Sequence, residues 1–495
     1  MTSTQSRTKH LKSIEEFLAV LREHGDVQEV TAPVSLQLEA GAGIRYAYEN
    51  NLPAVLYTTI DGYPQYKLMG GVTPFSSDPH NPYGRLAVAL GLPWDTKPLA
   101  ILEALVEFNE AHRLIPPVVV DNTTRTRHDT VDLHSVPAPL LHDGDGGEYL
   151  NTVGTMVART PDGSWTNWHV CRVMRLDATR VTIWTRDFQH FGQIYNMWKE
   201  IGKPMPFAFC QSPEPSATVV SGFRVPAQVD EAAFLGGWFG EALEVSPCDS
   251  VDLEVPATSH VVIEGHINID ERHSEGPFGE CAGYLIPSLT CEELVGHVTA
   301  ISSVPQPIVA AVPAGKPVDD DHTLIFIGHS MGNTQMLRDA GLPVRHCWVS
   351  PESAGSQCTV TVDKNWPETY SGDRVALFTE IANLLNKQGK IPCVIHTAVV
   401  EDDIDPTDPR DVLWGWCSRA AATEMLTLDG YITELSVGLS LDEHNAVHGN
   451  RNYYNGLHKG WSLEYTPASF TEIYPPDVQR KMKSVIDDAM DSRRG

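Results

Sequence analysis

Apolar positions Phe17, Leu18 and Leu21 repeat at helical spacing just after Ser13-Ile14-Glu15-Glu16. A serine followed three residues later by glutamate is a capping box, so the pattern predicts a helix running to about Gly25. Short apolar runs at 54–58 and 66–69 predict strands, and 83–90 and 98–112 predict helices. Residues 1–117 therefore read as an N-terminal α/β unit that ends at Pro116-Pro117.

The pattern then changes. β-branched runs at 118–120, 152–158, 180–185, 217–220 and 260–264, separated by Gly, Pro and Asp, predict strands, so 118–312 reads as a β-rich barrel or sandwich. Strands at 307–312, 358–362 and 393–400 alternate with helices at 372–385 and 411–422, which makes 313–474 a further α/β layer. Pro475-Pro476 opens a last helix, 475–495, whose Val478, Met482, Val485, Ile486 and Ala489 form one stripe. That stripe needs a covering surface, either on its own chain or on a neighbouring subunit. The fold class is thus a multidomain α+β or α/β protein.

Composition narrows the partners. The chain has 495 residues and a formal charge of −28. Nucleic acid and anionic membranes are excluded as partners because both need clustered Lys and Arg. The same charge repels an anionic ligand at long range, so a site that takes one must supply local cations. Nine scattered cysteines without a Cys-x-x-Cys pair read as reduced thiols. With no apolar signal-peptide core and no run near the ~18 apolar residues of a membrane span, the expected compartment is the cytoplasm.

Glu275-Gly276-Pro277-Phe278-Gly279-Glu280 places two carboxylates around a tight turn that can aim both into one cavity. Paired acids in unlike environments can split their pKa values and take different roles. In Asn167-Trp168-His169-Val170-Cys171-Arg172, strand alternation would put Asn167, His169 and Cys171 on one face. His190 and Glu231 add an imidazole and a carboxylate. With an amide oxygen they suit an octahedral Mn²⁺ or Mg²⁺, although their spacing alone defines no site.

A rival reading rests on Gly328-His329-Ser330-Met331-Gly332, which follows the apolar 324–327 as a serine-hydrolase elbow would, with Ser330 as nucleophile. Asp403 or Asp405 and His444 or His448 complete the order Ser, Asp, His, yet no His-Gly-Gly-Gly oxyanion segment precedes it. Asp143 to Glu148 begins like a calcium loop but lacks its glycine at position six and its glutamate at twelve. Dinucleotide and P-loop signatures are absent from the sequence.

Taken in order, Tyr83-Gly84-Arg85-Leu86, the 143–149 segment, Thr166-Asn167-Trp168 with Arg172, Gln189-His190, Glu275 to Glu280 with Gly283-Tyr284, Asp402 to Asp405 and Asp411-Val412-Leu413-Trp414 resemble the UbiD family of reversible decarboxylases. The likeness is to its ferulic-acid-decarboxylase-like branch and spans nearly the whole chain. It implies a central split β-barrel that binds prenylated FMN, supplied by a flavin prenyltransferase. It also implies Mn²⁺ (or Mg²⁺), K⁺ and a homodimer with the terminal helix at its contact.

By motif, Asn167, His190 and Glu231 would hold the metal, and Trp168, Ser221, Phe223 and Glu231 would offer oxygens to potassium. Arg172, Glu275 and Glu280 would form the acid-base network. Cofactor contacts would come from Thr152, Asn167, His169, Val170, Cys171, Arg172, Gln189, His190, Ser221, Gly222, Phe223, Arg224, Glu231 and Lys390, with Lys387 the alternative lysine. Gly222-Phe223-Arg224 departs from the family's small apolar residues there. Cys281, Leu324, Ile327, His329, Tyr431 and Ile432 would line the substrate pocket for an aromatic, heteroaromatic or α,β-unsaturated carboxylic acid.

The chemistry explains why a cofactor is needed. Loss of CO₂ from an sp² carbon leaves a carbanion without delocalisation. General acid-base help supplies roughly 3–5 of the roughly 8–23 kcal/mol by which enzymes lower barriers. The azomethine ylide of the prenylated flavin, which adds to the substrate double bond, would make up the difference. Arg172 would pair with Glu275 and leave Glu280 as the acid, provided burial raises its pKa.

Overall fold

The computed structural model describes residues 10–111, 113–223, 225–389, 392–433, 436, 447–460 and 466–491. Ser13 caps the first helix, Ile14–Glu23, by accepting the Glu16 N–H, and that helix buries Ile14, Phe17, Leu18 and Leu21. It packs beside a four-stranded sheet ordered Val27–Val30, Ala54–Tyr57, Lys67–Gly70, Ile308–Ala310. The last strand lies parallel to Lys67–Gly70 although nearly 240 residues separate them. Sheet membership thus does not follow the sequence blocks.

The centre is a nine-stranded antiparallel sheet in which Val261–Glu275 and Cys291–Ser303 form the long middle pair. Two register irregularities, after Glu264 and after Ile267, bend this pair. The sheet curls far enough for its two ends to meet. Asn151, at the end of edge strand Tyr149–Asn151, donates to the Cys171 carbonyl just past the opposite edge strand Thr166–Val170, at 2.6 Å. The result is a half-barrel with a cavity at the seam.

A five-stranded mixed sheet follows, in the order Val344–Val349, Gln357–Val362, His396–Glu401, His448–Asn455, Met425–Tyr431. Helices Asp320–Asp339 and Arg374–Gln388 pack against it. Among the described residues no helix is long and apolar enough to cross a membrane.

Three local readings of the sequence are corrected. The run 217–220 is helical, within Pro215–Ser221, because Pro215 starts a fully buried turn where β-branched residues are tolerated. The run 324–327 is not a strand either: it lies inside the 20-residue helix Asp320–Asp339, which Asp319 caps together with His322. The 152–158 run is interrupted, since the Asn151 side chain accepts the Gly154 N–H at 2.8 Å and the strand resumes at Thr155–Arg159. The break frees Thr152 Oγ1 to accept from the Val312 N–H at 2.8 Å. The other helices shift by a few residues to their caps, as where Asp408 and Pro409 begin Pro409–Arg419.

The terminal helix Pro476–Asp491 forms as the stripe predicts. Among the described residues nothing covers its apolar stripe, with Val485 49% and Ile486 56% exposed.

Candidate active site

Arg172 emerges just after strand Thr166–Val170, at the seam of the half-barrel. Its guanidinium lies between the rings of Trp184 and Phe278, 5.2 and 5.1 Å from their centroids. It donates Nε–H to Glu275 Oε1 and Nη2–H to Glu275 Oε2, each at 2.8 Å, and Nη1–H to Glu280 Oε1 at 2.5 Å. The Tyr149 hydroxyl donates to Glu275 Oε1 at 2.7 Å. Both oxygens of Glu275 are therefore occupied, while Glu280 is held through one oxygen and faces the cavity.

Burial pushes the Glu280 carboxyl above its ordinary range, against the opposing pull of the Arg172 charge and its hydrogen bond. Proximity of Glu275 adds to the rise. A buried acid with a raised pKa beside a cation is suited to delivering a proton.

The turn between the two glutamates is shaped by its neighbours. Gly276 has φ of +87°, a conformation that favours glycine. A side chain at Gly146 would collide with the Gly276 carbonyl, 2.0 Å from the Cβ it would carry. The Gly146 N–H donates to Pro277 O at 2.7 Å, and Asp145 Oδ1 accepts the Gly279 N–H at 3.0 Å. The acidic, glycine-rich 143–148 segment is thus a brace for the turn that carries Glu275 and Glu280.

At the far side of the same cavity, Asn167 Nδ2–H donates to Glu231 Oε1 at 2.8 Å, and the Trp168 N–H donates to Glu231 Oε2 at 2.7 Å. Asn167 Oδ1 is buried with no hydrogen-bond partner among the described residues. Burial drives the Glu231 carboxyl well above its usual range, with the neighbouring Asp230 adding to the effect. An orphaned acceptor beside a buried, uncompensated carboxyl fits a hard cation, whose charge would reverse that shift. His190, first residue of helix His190–Glu200, lines the same cavity with its ring 5.0 Å from Trp165. Glu231 itself stands behind Asn167 and Trp168 and is not part of the lining.

The cavity brings together Thr152, Asn167, Trp168, His169, Val170, Cys171, Arg172, Gln189, His190, Ser221, Gly222, Phe223, Glu280, Cys281 and His329. Arg224 and Lys390 lie outside the described residues, as does His444. Lys387 is exposed at the end of helix Arg374–Gln388, away from the lining.

Four predicted pocket residues are corrected. Leu324 and Ile327 are buried in packing, and the cavity instead receives Asp321, Ile325, Phe326 and His329, because the segment follows a helical and not a strand period. Tyr431 is 38% exposed beside Phe188, and Ile432 is fully buried outside the lining; Thr433, Pro392 and Cys393 take their place. Reading the 320–339 segment as a capped helix from Asp319 would have found Asp321 and Ile325. Trp184, Phe188, Phe278 and Ala314 also line the cavity and had no sequence signal beyond their neighbours.

The serine-hydrolase reading fails. Ser330 is wholly buried in mid-helix, where its hydroxyl donates to the Phe326 carbonyl at 2.7 Å and accepts the Val349 N–H at 2.9 Å. No strand-to-helix elbow exists there.

A half-barrel whose seam carries an arginine clamped between two buried glutamates defines the class to which the comparisons point. Residues 116–317 match the 3-octaprenyl-4-hydroxybenzoate carboxy-lyase Rift-related domain, and residues 18–105 match the N-terminal domain of the same enzyme. The chain belongs to the UbiD family of carboxy-lyases. It is 32% identical to the pyrrole-2-carboxylic acid decarboxylase of Pseudomonas aeruginosa over 94% of this chain and 96% of that one. It is also 32% identical to ferulic acid decarboxylase 1 of Saccharomyces cerevisiae, over 82% of each. Among solved structures, the vanillic acid decarboxylase of Sedimentibacter hydroxybenzoicus superposes with a TM-score of 0.80 at 22% identity, over 98% of this chain and all of that one. An evolved dimeric HmfF from Pelotomaculum thermopropionicum, in complex with prFMN, gives 0.76 at 22% identity, over 95% and 98%.

Proposed function

We propose that this UbiD-family decarboxylase releases CO₂, reversibly, from an aromatic, heteroaromatic or α,β-unsaturated carboxylic acid, using prenylated FMN tethered through a divalent cation. The observation that carries the reading is the linked set Glu275, Arg172 and Glu280, in which Glu280 is the glutamate open to the cavity beside Arg172. Asn167, His190 and Glu231 would hold Mn²⁺ or Mg²⁺, with potassium near Trp168, Ser221 and Phe223. The unpartnered Asn167 Oδ1 supports that assignment. When bound, the prenylated flavin supplies the electron sink that side chains lack.

The protein's share of the chemistry follows from its own groups. Arg172 keeps N–H capacity beyond its three bonds to the glutamates and attracts the substrate carboxylate into an otherwise acidic molecule. Trp184 and Phe278 exclude water around it. After CO₂ leaves, Glu280 in its acid form delivers its proton to the carbon that lost the carboxylate, and becomes the carboxylate that Arg172 stabilises. In the reverse direction Glu280 removes that proton.

The exposed stripe on Pro476–Asp491 supports a homodimer contact through the terminal helix. The experiment that tests the whole reading is expression beside a flavin prenyltransferase, followed by absorbance of the purified protein and a CO₂-release screen over a panel of carboxylic acids. The expected result is a bound flavin chromophore and release from at least one acid. A bound chromophore without release from any acid would reject the catalytic reading.

A further inference from the structure

Asp319, Asp320 and Asp321 are three successive carboxyls where the helix Asp320–Asp339 begins. Two are used by the scaffold. Asp319 Oδ2 accepts from the Gly315 N–H at 3.0 Å and from Arg45 Nη1 at 3.1 Å. Asp320 accepts from the Tyr48 hydroxyl and from the Thr73 N–H, both at 2.7 Å. The Asp321 carboxyl makes no hydrogen bond or ion pair among the described residues, yet it lines the active cavity with Ile325 and His329, one and two helical turns further on.

Its position is fixed from behind. His322 Nε2–H donates to the Cys281 carbonyl at 2.7 Å, which ties this helix start to the segment that carries Glu280. A carboxyl left without a protein partner in a cavity wall is costly, whereas both neighbouring carboxyls at the same helix start accept from protein donors. The remaining acceptor is available to a ligand.

Building on the decarboxylase reading above, we propose that Asp321 is a specificity-determining residue that accepts a hydrogen bond from a ring-borne N–H or O–H. The substrate is then a heteroaromatic or hydroxylated aromatic acid, not a plain hydrocarbon one. The two charges in the lining orient such a molecule: Arg172 attracts its carboxylate, and the acidic Asp321 disfavours that group and favours the donor edge. Burial, with Asp319, Asp320 and Glu280 nearby, pushes the Asp321 carboxyl upward, and even its neutral form keeps a carbonyl oxygen that accepts.

The test uses cofactor-loaded enzyme, Asp321→Leu and Asp321→Asn, and measures both binding by calorimetry and turnover. Two matched pairs serve as probes: pyrrole-2-carboxylate against furan-2-carboxylate, and 4-hydroxybenzoate against benzoate. The wild type is expected to favour the donor member of at least one pair by about tenfold or more. Asp321→Leu brings that ratio toward one, and Asp321→Asn, whose amide oxygen still accepts, keeps part of it. The pair that shows the preference tells N–H from O–H. An unchanged ratio in Asp321→Leu overturns the proposal, as does a wild type that prefers neither donor. A fall in turnover equal for both members, with the preference intact, overturns it too and makes Asp321 a partner of Glu280. Selective binding that Asp321→Leu abolishes, without CO₂ release from any acid, upholds the proposal and rejects the decarboxylase reading instead.

Discussion

Arg172 and Glu275 meet in a fork of two parallel N–H···O bonds, both 2.8 Å long, in a setting where Glu275 is only 1% exposed. The fork fixes the guanidinium plane and so determines where its remaining nitrogen reaches Glu280. Breaking such a buried pair from one side leaves the other charge uncompensated, at a cost of about 3–5 kcal/mol.

Glu280→Gln is expected to keep the flavin chromophore and lose turnover by at least about 100-fold, the scale of general acid help. Absorbance and CO₂ release on the same preparation check both halves. Full activity in the variant rejects Glu280 as the acid.

The pH dependence follows from the same residue. The Glu280 carboxyl titrates above its ordinary range in the folded protein, so the acid form persists below that raised value and is lost as pH rises through it. Proton delivery should therefore decline on the alkaline side. Stability has the same sign: Glu280 contributes fully below the unfolded carboxylate value of about 4.3, and this share disappears as pH rises through the folded value. Urea midpoints of wild type and Glu280→Gln across about pH 4 to 8 should converge at low pH if the linkage holds.

Glu231→Gln preserves an acceptor for the Trp168 N–H but removes the negative charge next to Asn167. Metal affinity is expected to fall about 10- to 100-fold. Elemental analysis of dialysed protein measures it, and a chelator should release flavin from the wild type. Equal metal content in the variant would remove Glu231 from the ligand set.

Ser330→Ala leaves the buried Val349 N–H without its acceptor, which costs about 1–3 kcal/mol. Chemical denaturation should show this loss while CO₂ release per folded molecule is retained. Neither protein should react with a fluorophosphonate.

Ile486→Asp puts a charge on the exposed stripe of the terminal helix. If the stripe is the homodimer contact, light scattering should show the mass of the assembly fall by half. An unchanged assembly mass would place the contact elsewhere.

The linear sequence was enough to recognise the family, because motifs such as Asn167 to Arg172 and Glu275 to Glu280 carry their chemistry within a few residues. It also determined the first helix, through local spacing and the Ser13 cap, and the terminal amphipathic helix, through local spacing after Pro475-Pro476. Short apolar runs were another matter. A four-residue stretch such as 217–220 or 324–327 has the same composition in a buried helix as in a buried strand, and only long-range packing chooses between them. That choice decided which of Leu324, Ile325 and Ile327 reaches the cavity, and it brought Asp321 into the site. Tertiary structure alone closed the half-barrel through Asn151 and Cys171, and returned Ile308–Ala310 to the first sheet. It also left Asn167 Oδ1 without a partner among the described residues. These contacts join residues far apart in the chain, where pairing is governed by the global packing and not by neighbouring side chains.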